Sequence, residues 1–161
     1  MPRVLVIDDD AHIRHMMRLT LDAAGYEVGD AADGLRGLER CGADAVWDVV
    51  LLDQKMPGID GIETLRRLRE CAPATRVIMV TAFASIELAV EAMKLGATDF
   101  VRKPMTPDIL RHTVAAALAK PPVATPVGRP ASPTRPQRPR IETVTMNGFH
   151  LVRTSAKDRM T

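Results

Sequence analysis

Aromatic residues are nearly missing from this 161-residue chain: one tryptophan, one tyrosine and three phenylalanines make up 3% of it. Any core must therefore be assembled from Val, Ile, Leu, Met and Ala. Cysteine is almost as scarce. Cys41 and Cys71 are the only two, without metal-ligand spacing and too few for a disulfide scaffold, so two reduced thiols are expected. No apolar run approaches the roughly 20 residues needed to cross a bilayer. The chain opens directly on a strand-like run without a leader peptide, and the expectation is a soluble cytoplasmic protein. Net charge is small, +2 overall, but unevenly placed. Residues 1–119 carry 14 basic against 18 acidic side chains, whereas residues 120–161 carry 8 against 2.

What is present is an alternation. Short apolar runs at Arg3–Ile7, Trp47–Leu52, Arg76–Val80 and Asp99–Val101, with a weaker one at Tyr26–Ala31, predict strands. The continuous apolar character of Val49–Leu52 and Val77–Val80 belongs to strands covered on both faces, as in a parallel sheet. Between them lie helical patterns. Ile13, Met16, Met17, Thr20 and Leu21 share one face, as do Ile62, Leu65 and Leu68. Leu88, Ala89, Ala92 and Met93 form a third pattern, with Ser85 as N-cap and Gly96 at the C-terminal end. Thr106-Pro107 opens a helix running to Leu118, and Asp33–Arg40 makes a shorter one. Five β-α repeats predict a doubly wound parallel α/β sheet with right-handed crossovers. In that architecture ligands bind beyond the carboxyl ends of the strands.

Four sets of chemistry-bearing residues sit at such ends: Asp8-Asp9-Asp10, Asp53, Thr81 and Lys103-Pro104. If strands 1, 3, 4 and 5 lie side by side, the sets converge. Carboxylates at close quarters need a cation, and oxygen ligands with partial solvation suit Mg²⁺. Asp53 is an oxygen nucleophile able to form an acyl phosphate. Phosphoryl transfer asks chiefly for charge neutralisation; Lys103 offers a second cation and Thr81 a hydroxyl donor. Each feature alone has a plainer explanation, such as Asp10 capping the first helix. Their joint placement carries the reading.

These residues resemble the receiver domains of two-component response regulators, CheY-like and flavodoxin-like in fold. The matching stretches are Val4–Asp10, Val50–Gly61, Val80-Thr81-Ala82 and Gly96–Pro104, spread over about residues 1–119. Ser85 to Phe100 is most similar to receivers of the NtrC type, which control transcription. The resemblance implies a five-stranded sheet in the order 2-1-3-4-5. It implies Asp53 as phosphoacceptor, with Asp8, Asp9, Asp53 and the Lys55 carbonyl holding Mg²⁺. Thr81 and Lys103 would contact the phosphoryl group. Thr81, Phe100 and Pro104 would form the switch, and the Lys103–Pro104 bond is often cis in similar proteins. Lys55 and Phe83, two residues past Asp53 and Thr81, occupy positions that tune acyl-phosphate hydrolysis in that family.

The implied partners are a sensor histidine kinase or a phosphotransfer protein, and a second copy through the face of the fourth helix, fifth strand and fifth helix. Candidate output residues on that face are Val90, Glu91, Lys94 and Arg111. The protein is expected to be a signalling switch rather than an enzyme acting on other substrates, and to control transcription. A stand-alone receiver working through protein–protein contact remains an alternative, and so does a Mg²⁺-dependent phosphohydrolase. The last typically places a second acid two residues beyond its nucleophile, where this chain has Lys55.

Residues 120–140 hold seven of the twelve prolines and predict an extended linker rich in proline and arginine. Residues 141–161 are too few for a core of their own and are expected to be disordered or to begin an output region. DNA contact is expected only through such a region, or weakly through Arg129, Arg135, Arg138 and Arg140.

Overall fold

The computed structural model describes residues 1–43, 46–121, 142–146 and 149–153. In the unit Met1–Thr125, ten elements alternate: β1 (Arg3–Ile7), α1 (Ala11–Ala23), β2 (Glu27–Ala31), α2 (Gly34–Gly42), β3 (Val49–Leu52), α3 (Gly61–Cys71), β4 (Arg76–Thr81), α4 (Ile86–Lys94), β5 (Asp99–Arg102) and α5 (Pro107–Ala119). All strand pairs are parallel, in the order β2-β1-β3-β4-β5.

Successive residues of a strand point to opposite faces, so each continuous apolar run feeds two cores. Val4, Val6, Val49, Leu51, Ile78 and Val80 pack with Met17 and Leu21 of α1 and Leu110 and Val114 of α5. Leu5, Ile7, Val50, Leu52, Val77 and Met79 pack on the other face with Ile62, Leu65 and Leu68 of α3 and Ala92 of α4. Leu65 is fully buried, and burying such a side chain contributes about 1.5–3 kcal/mol.

The caps expected at Asp10, Ser85 and Thr106 are in place, and Asp33 and Asp60 add two more. Asp10, Asp33, Asp60, Ser85 and Thr106 each accept from backbone N–H groups in the first turn of the helix that follows. Gly96 has φ +94 just past α4, the left-handed conformation that ends helices and that a side chain disfavours.

The differences from the sequence reading are local. β3 begins at Val49 rather than Trp47. Trp47 is buried ahead of the strand, its Nε1 donating to Arg40 O at 3.2 Å and its ring lying 4.4 Å beneath the Arg3 guanidinium. In α1, Met17 faces the core but Met16 is 44% exposed. Likewise Ala92 is buried while Met93 faces solvent.

The unit Pro126–Thr161 contains β6 (Glu142–Met146) and β7 (Phe149–Arg153), paired antiparallel from Glu142↔Arg153 to Met146↔Phe149. The tail reading did not anticipate these strands. Asn147-Gly148, the dipeptide most associated with tight hairpins, stands between them in the sequence and was the available signal. From residue 122 onward, the expected linker lies outside the described residues.

Candidate functional site

The register explains why distant acids meet. Ile7 is paired with Leu52, so Asp8 and Asp53 leave adjacent strands at the same level. Thr81 closes β4 opposite Arg102, and Lys103 follows, its N–H bonded to Thr81 O at 2.9 Å. The peptide Lys103–Pro104 is cis.

Carboxylate oxygens of Asp8, Asp9 and Asp53 lie within 4.8 Å of one another. Asp8 and Asp53 are buried and Asp9 is exposed, so the cluster opens to water on one side. The Lys103 ammonium bridges the two buried acids, 2.5 Å from Asp8 Oδ2 and 3.2 Å from Asp53 Oδ2. Asp53 Oδ1 accepts from Gln54 N–H at 2.8 Å, and Asp8 Oδ1 from Asp10 N–H at 2.9 Å. The fully buried Thr81 hydroxyl accepts from Phe83 N–H at 3.1 Å. Phe100 is half-buried against the core.

The charges here oppose one another. Burial pushes the Asp8 carboxyl above its ordinary value, and hydrogen bonding to Lys103 only partly offsets it. Burial also draws Lys103 down, but hydrogen bonds and charge from Asp8 and Asp53 outweigh that, and its ammonium is held above its ordinary value. Three acids facing one half-buried cation leave an excess of negative charge. A divalent cation with oxygen ligands fits such a donor set.

A raised carboxyl stabilises the fold below its unfolded value, and that stability is lost as pH climbs through the folded value. Above that folded value the ionised Asp8 therefore costs folding free energy. Asp8→Asn is expected to raise the melting temperature of the metal-free protein at pH 7. Millimolar Mg²⁺ is expected to stabilise the wild type, and Asp8→Asn to remove most of that gain. Thermal unfolding with EDTA and with Mg²⁺ reads both. An unchanged Mg²⁺ response in the variant would remove Asp8 from the metal set.

Two supporting residues escaped the sequence reading. Arg14 donates to the Asp8 carbonyl at 2.7 Å and pairs with Asp30 at 3.3 Å, bracing the turn that carries the acids. Its signal was its place one helical turn past Asp10. Gln54 accepts from Ile62 N–H through its side chain at 2.9 Å and from Gly61 N–H through its backbone at 2.8 Å, tying the β3 end to α3. Lys55 is exposed, and its ammonium lies 4.5 Å from the Phe83 ring centroid at the rim of the site. His12, His15 and His112 are exposed.

The family described as response regulator receiver domain matches residues 4–115. The chain belongs to this family. Similar proteins include the C4-dicarboxylate transport transcriptional regulatory protein DctD of Pseudomonas aeruginosa, 44% identical over 116 residues. The transcriptional regulatory protein ZraR of Klebsiella oxytoca is 40% identical over 116 residues. Each match takes in 72% of this chain. It takes in 25% of DctD and 26% of ZraR, so the receiver chain spans about a quarter of the length of these relatives.

Among solved structures, a CheY-like receiver domain protein from Methanospirillum hungatei superposes with TM-score 0.71 at 32% identity, over 73% of this chain and 94% of that one. Chemotaxis protein CheY4 of Vibrio cholerae gives 0.69 at 36% identity, over 73% and 98%. The receiver fold and strand order expected from the sequence are those observed. No helix among the described residues is long and apolar enough to cross a membrane.

Proposed function

We propose that this receiver accepts a phosphoryl group on Asp53 from a sensor histidine kinase or phosphotransfer protein, with Mg²⁺, and that the change of state controls transcription. The observation that carries this reading is the convergence of Asp8, Asp9 and Asp53 around Lys103. Asp8, Asp9, Asp53 and the Lys55 carbonyl would hold the ion, with water completing its shell. When bound, the ion supplies positive charge to the transferring phosphoryl oxygens.

The chain's own groups do the rest. Gln54 N–H holds one Asp53 oxygen and thereby orients the carboxylate toward an incoming donor. An Asp53 oxygen attacks phosphorus, the donor's phosphorus–nitrogen bond breaks, and the electron pair leaves with the imidazole, which takes up a proton. Lys103 neutralises the new charge. Thr81, whose hydroxyl accepts from Phe83 N–H in the present geometry, has a free proton to donate to a phosphoryl oxygen.

Thr81 then moves toward the phosphoryl group, and Phe100 turns into the space left behind. That shift remodels the surface of α4, β5 and α5, a local charge event biasing a two-state element. Ile86 is 82% exposed, Met93 50% and Val90 46%, so α4 offers an apolar stripe for a second copy or an output region. DctD and ZraR carry transcriptional regulatory names, which supports that output. The phosphohydrolase alternative lacks its second acid, since Lys55 stands two residues past Asp53 with an exposed cationic side chain.

The test is incubation with acetyl phosphate. With Mg²⁺, intact mass should show one added phosphoryl group; with excess EDTA it should show none. Equal incorporation in EDTA would overturn the metal-dependent reading.

A further inference from the structure

At the opposite end of the sheet from the acids, the chain folds its only two thiols into one place. Cys41 lies in the last turn of α2 and Cys71 ends α3. Thirty residues apart in sequence, both line a single cavity of about 190 Å³, together with Trp47 and Thr75, which precede β3 and β4. Cys41 is half-buried and Cys71 exposed, and neither is in a disulfide.

We infer that Cys41 and Cys71 form a two-thiolate site for one soft, two-coordinate monovalent cation of the copper(I) or silver(I) class. Thiolate sulfur selects such ions over hard ones, and two ligands satisfy a linear coordination shell. No oxygen or nitrogen ligand is required, and no oxidant.

A coordinating metal deprotonates a thiol outright. Two further observations fit. The first is a counter-ion. Arg69 precedes Cys71 by two residues and is anchored through its guanidinium to the carbonyls of Pro73 and Thr75, two residues that also line the cavity. Among the described residues its buried Nε–H has no partner. The second is access: Cys71 is open to solvent while Cys41 is half-buried, so an ion entering at Cys71 reaches Cys41 inside the cavity.

The reaction balances simply. One monovalent cation replaces two thiol protons, leaving a bis-thiolate complex of net charge −1 beside the Arg69 guanidinium. Both protons go to solvent and no electron is transferred. The site shares no residue with the acid cluster.

Silver(I) is the probe, because it does not cycle redox state, and Trp47 is the reporter, being the only tryptophan and a wall of the cavity. Silver nitrate titrated into the reduced full chain, in chloride-free buffer at pH 7, should quench Trp47 emission with a break at one equivalent. It should release two protons for each silver bound, and one equivalent should protect both thiols from maleimide. Because two linked ligands bind more tightly than two separate ones, C71S and C41A should each weaken binding at least about 100-fold and release only one proton. Circular dichroism of each variant checks that it is folded. C71S, at an exposed position, keeps the test decisive if C41A unfolds. A break at two equivalents, or single-cysteine variants that bind as the wild type does, would overturn the proposal.

Discussion

Asp53→Asn is expected to lose covalent phosphate incorporation from acetyl phosphate and Mg²⁺ by more than about 1,000-fold, the scale seen when a nucleophile is removed from an assembled site. The substitution is close to isosteric, so the side-chain oxygen can still accept from Gln54 N–H, as Asp53 Oδ1 does at 2.8 Å. What disappears is the anionic nucleophile, since an amide oxygen is a far weaker one. The change also subtracts one negative charge from a cluster in which three carboxylates face the half-buried Lys103 ammonium. The variant should therefore fold at least as stably as the wild type, and loss of labelling cannot be blamed on unfolding. Intact mass and thermal unfolding on the same sample measure both. If the variant gains phosphate as completely as the wild type, the acceptor assignment is wrong and the neighbouring Asp8 and Asp9 become the candidates.

Gly61→Ala is expected to produce the largest loss of stability among single-methyl changes near the site. A Cβ at Gly61 would lie 2.3 Å from the Asp53 carbonyl oxygen and 2.8 Å from Gln54 Cα. Both atoms are backbone, so no side chain can rotate away. The clash must be relieved by moving either the first turn of α3 or the end of β3, and that end carries Asp53. Overpacking of this kind costs about 1–3 kcal/mol, which for a domain of this size lowers the melting temperature by several degrees, at about 2–8 °C per kcal/mol. Because the displaced segment holds the nucleophile, phosphorylation should slow by more than the stability loss explains at temperatures where the variant remains folded. Gly42→Ala is the control: among the described residues a Cβ there meets nothing within 4 Å, and its effect should stay within about 0.5 kcal/mol. Equal behaviour of the two variants would show that the close approach at Gly61 is not a constraint.

Most of the fold was readable because its signals are local. A strand covered on both faces is an unbroken apolar run, so Val49–Leu52 and Val77–Val80 stood out. Caps at Asp10, Ser85 and Thr106 and the left-handed Gly96 depend on a few neighbouring residues. Adjacent choices were harder. Met16 and Met17 fit the same helical face to within one position, and only docking of α1 on the sheet buries Met17 and exposes Met16. Trp47 extended the apolar run into β3, yet it packs ahead of the strand because Arg3 and the Arg40 carbonyl give its ring and N–H a place there.

The candidate site divides the same way. Strand-end position is a sequence property, so Asp8, Asp9, Asp53, Thr81 and Lys103 could be named without coordinates. That Lys103 spans both buried acids, that Arg14 braces the Asp8 carbonyl, and that Gly61 lies against the Asp53 peptide are contacts between segments up to 95 residues apart. They depend on the order and register of the strands. The two cysteines mark the limit most sharply. In sequence they are unrelated thiols, and nothing about their spacing pairs them. The sequence alone determined the alternation of elements, their caps and the acids at the strand ends, because periodicity and turn chemistry act over a few residues. Only the tertiary structure decided that the acids share one cation and that two helices end around one cavity, because parallel strand order is set by the packing of the whole sheet.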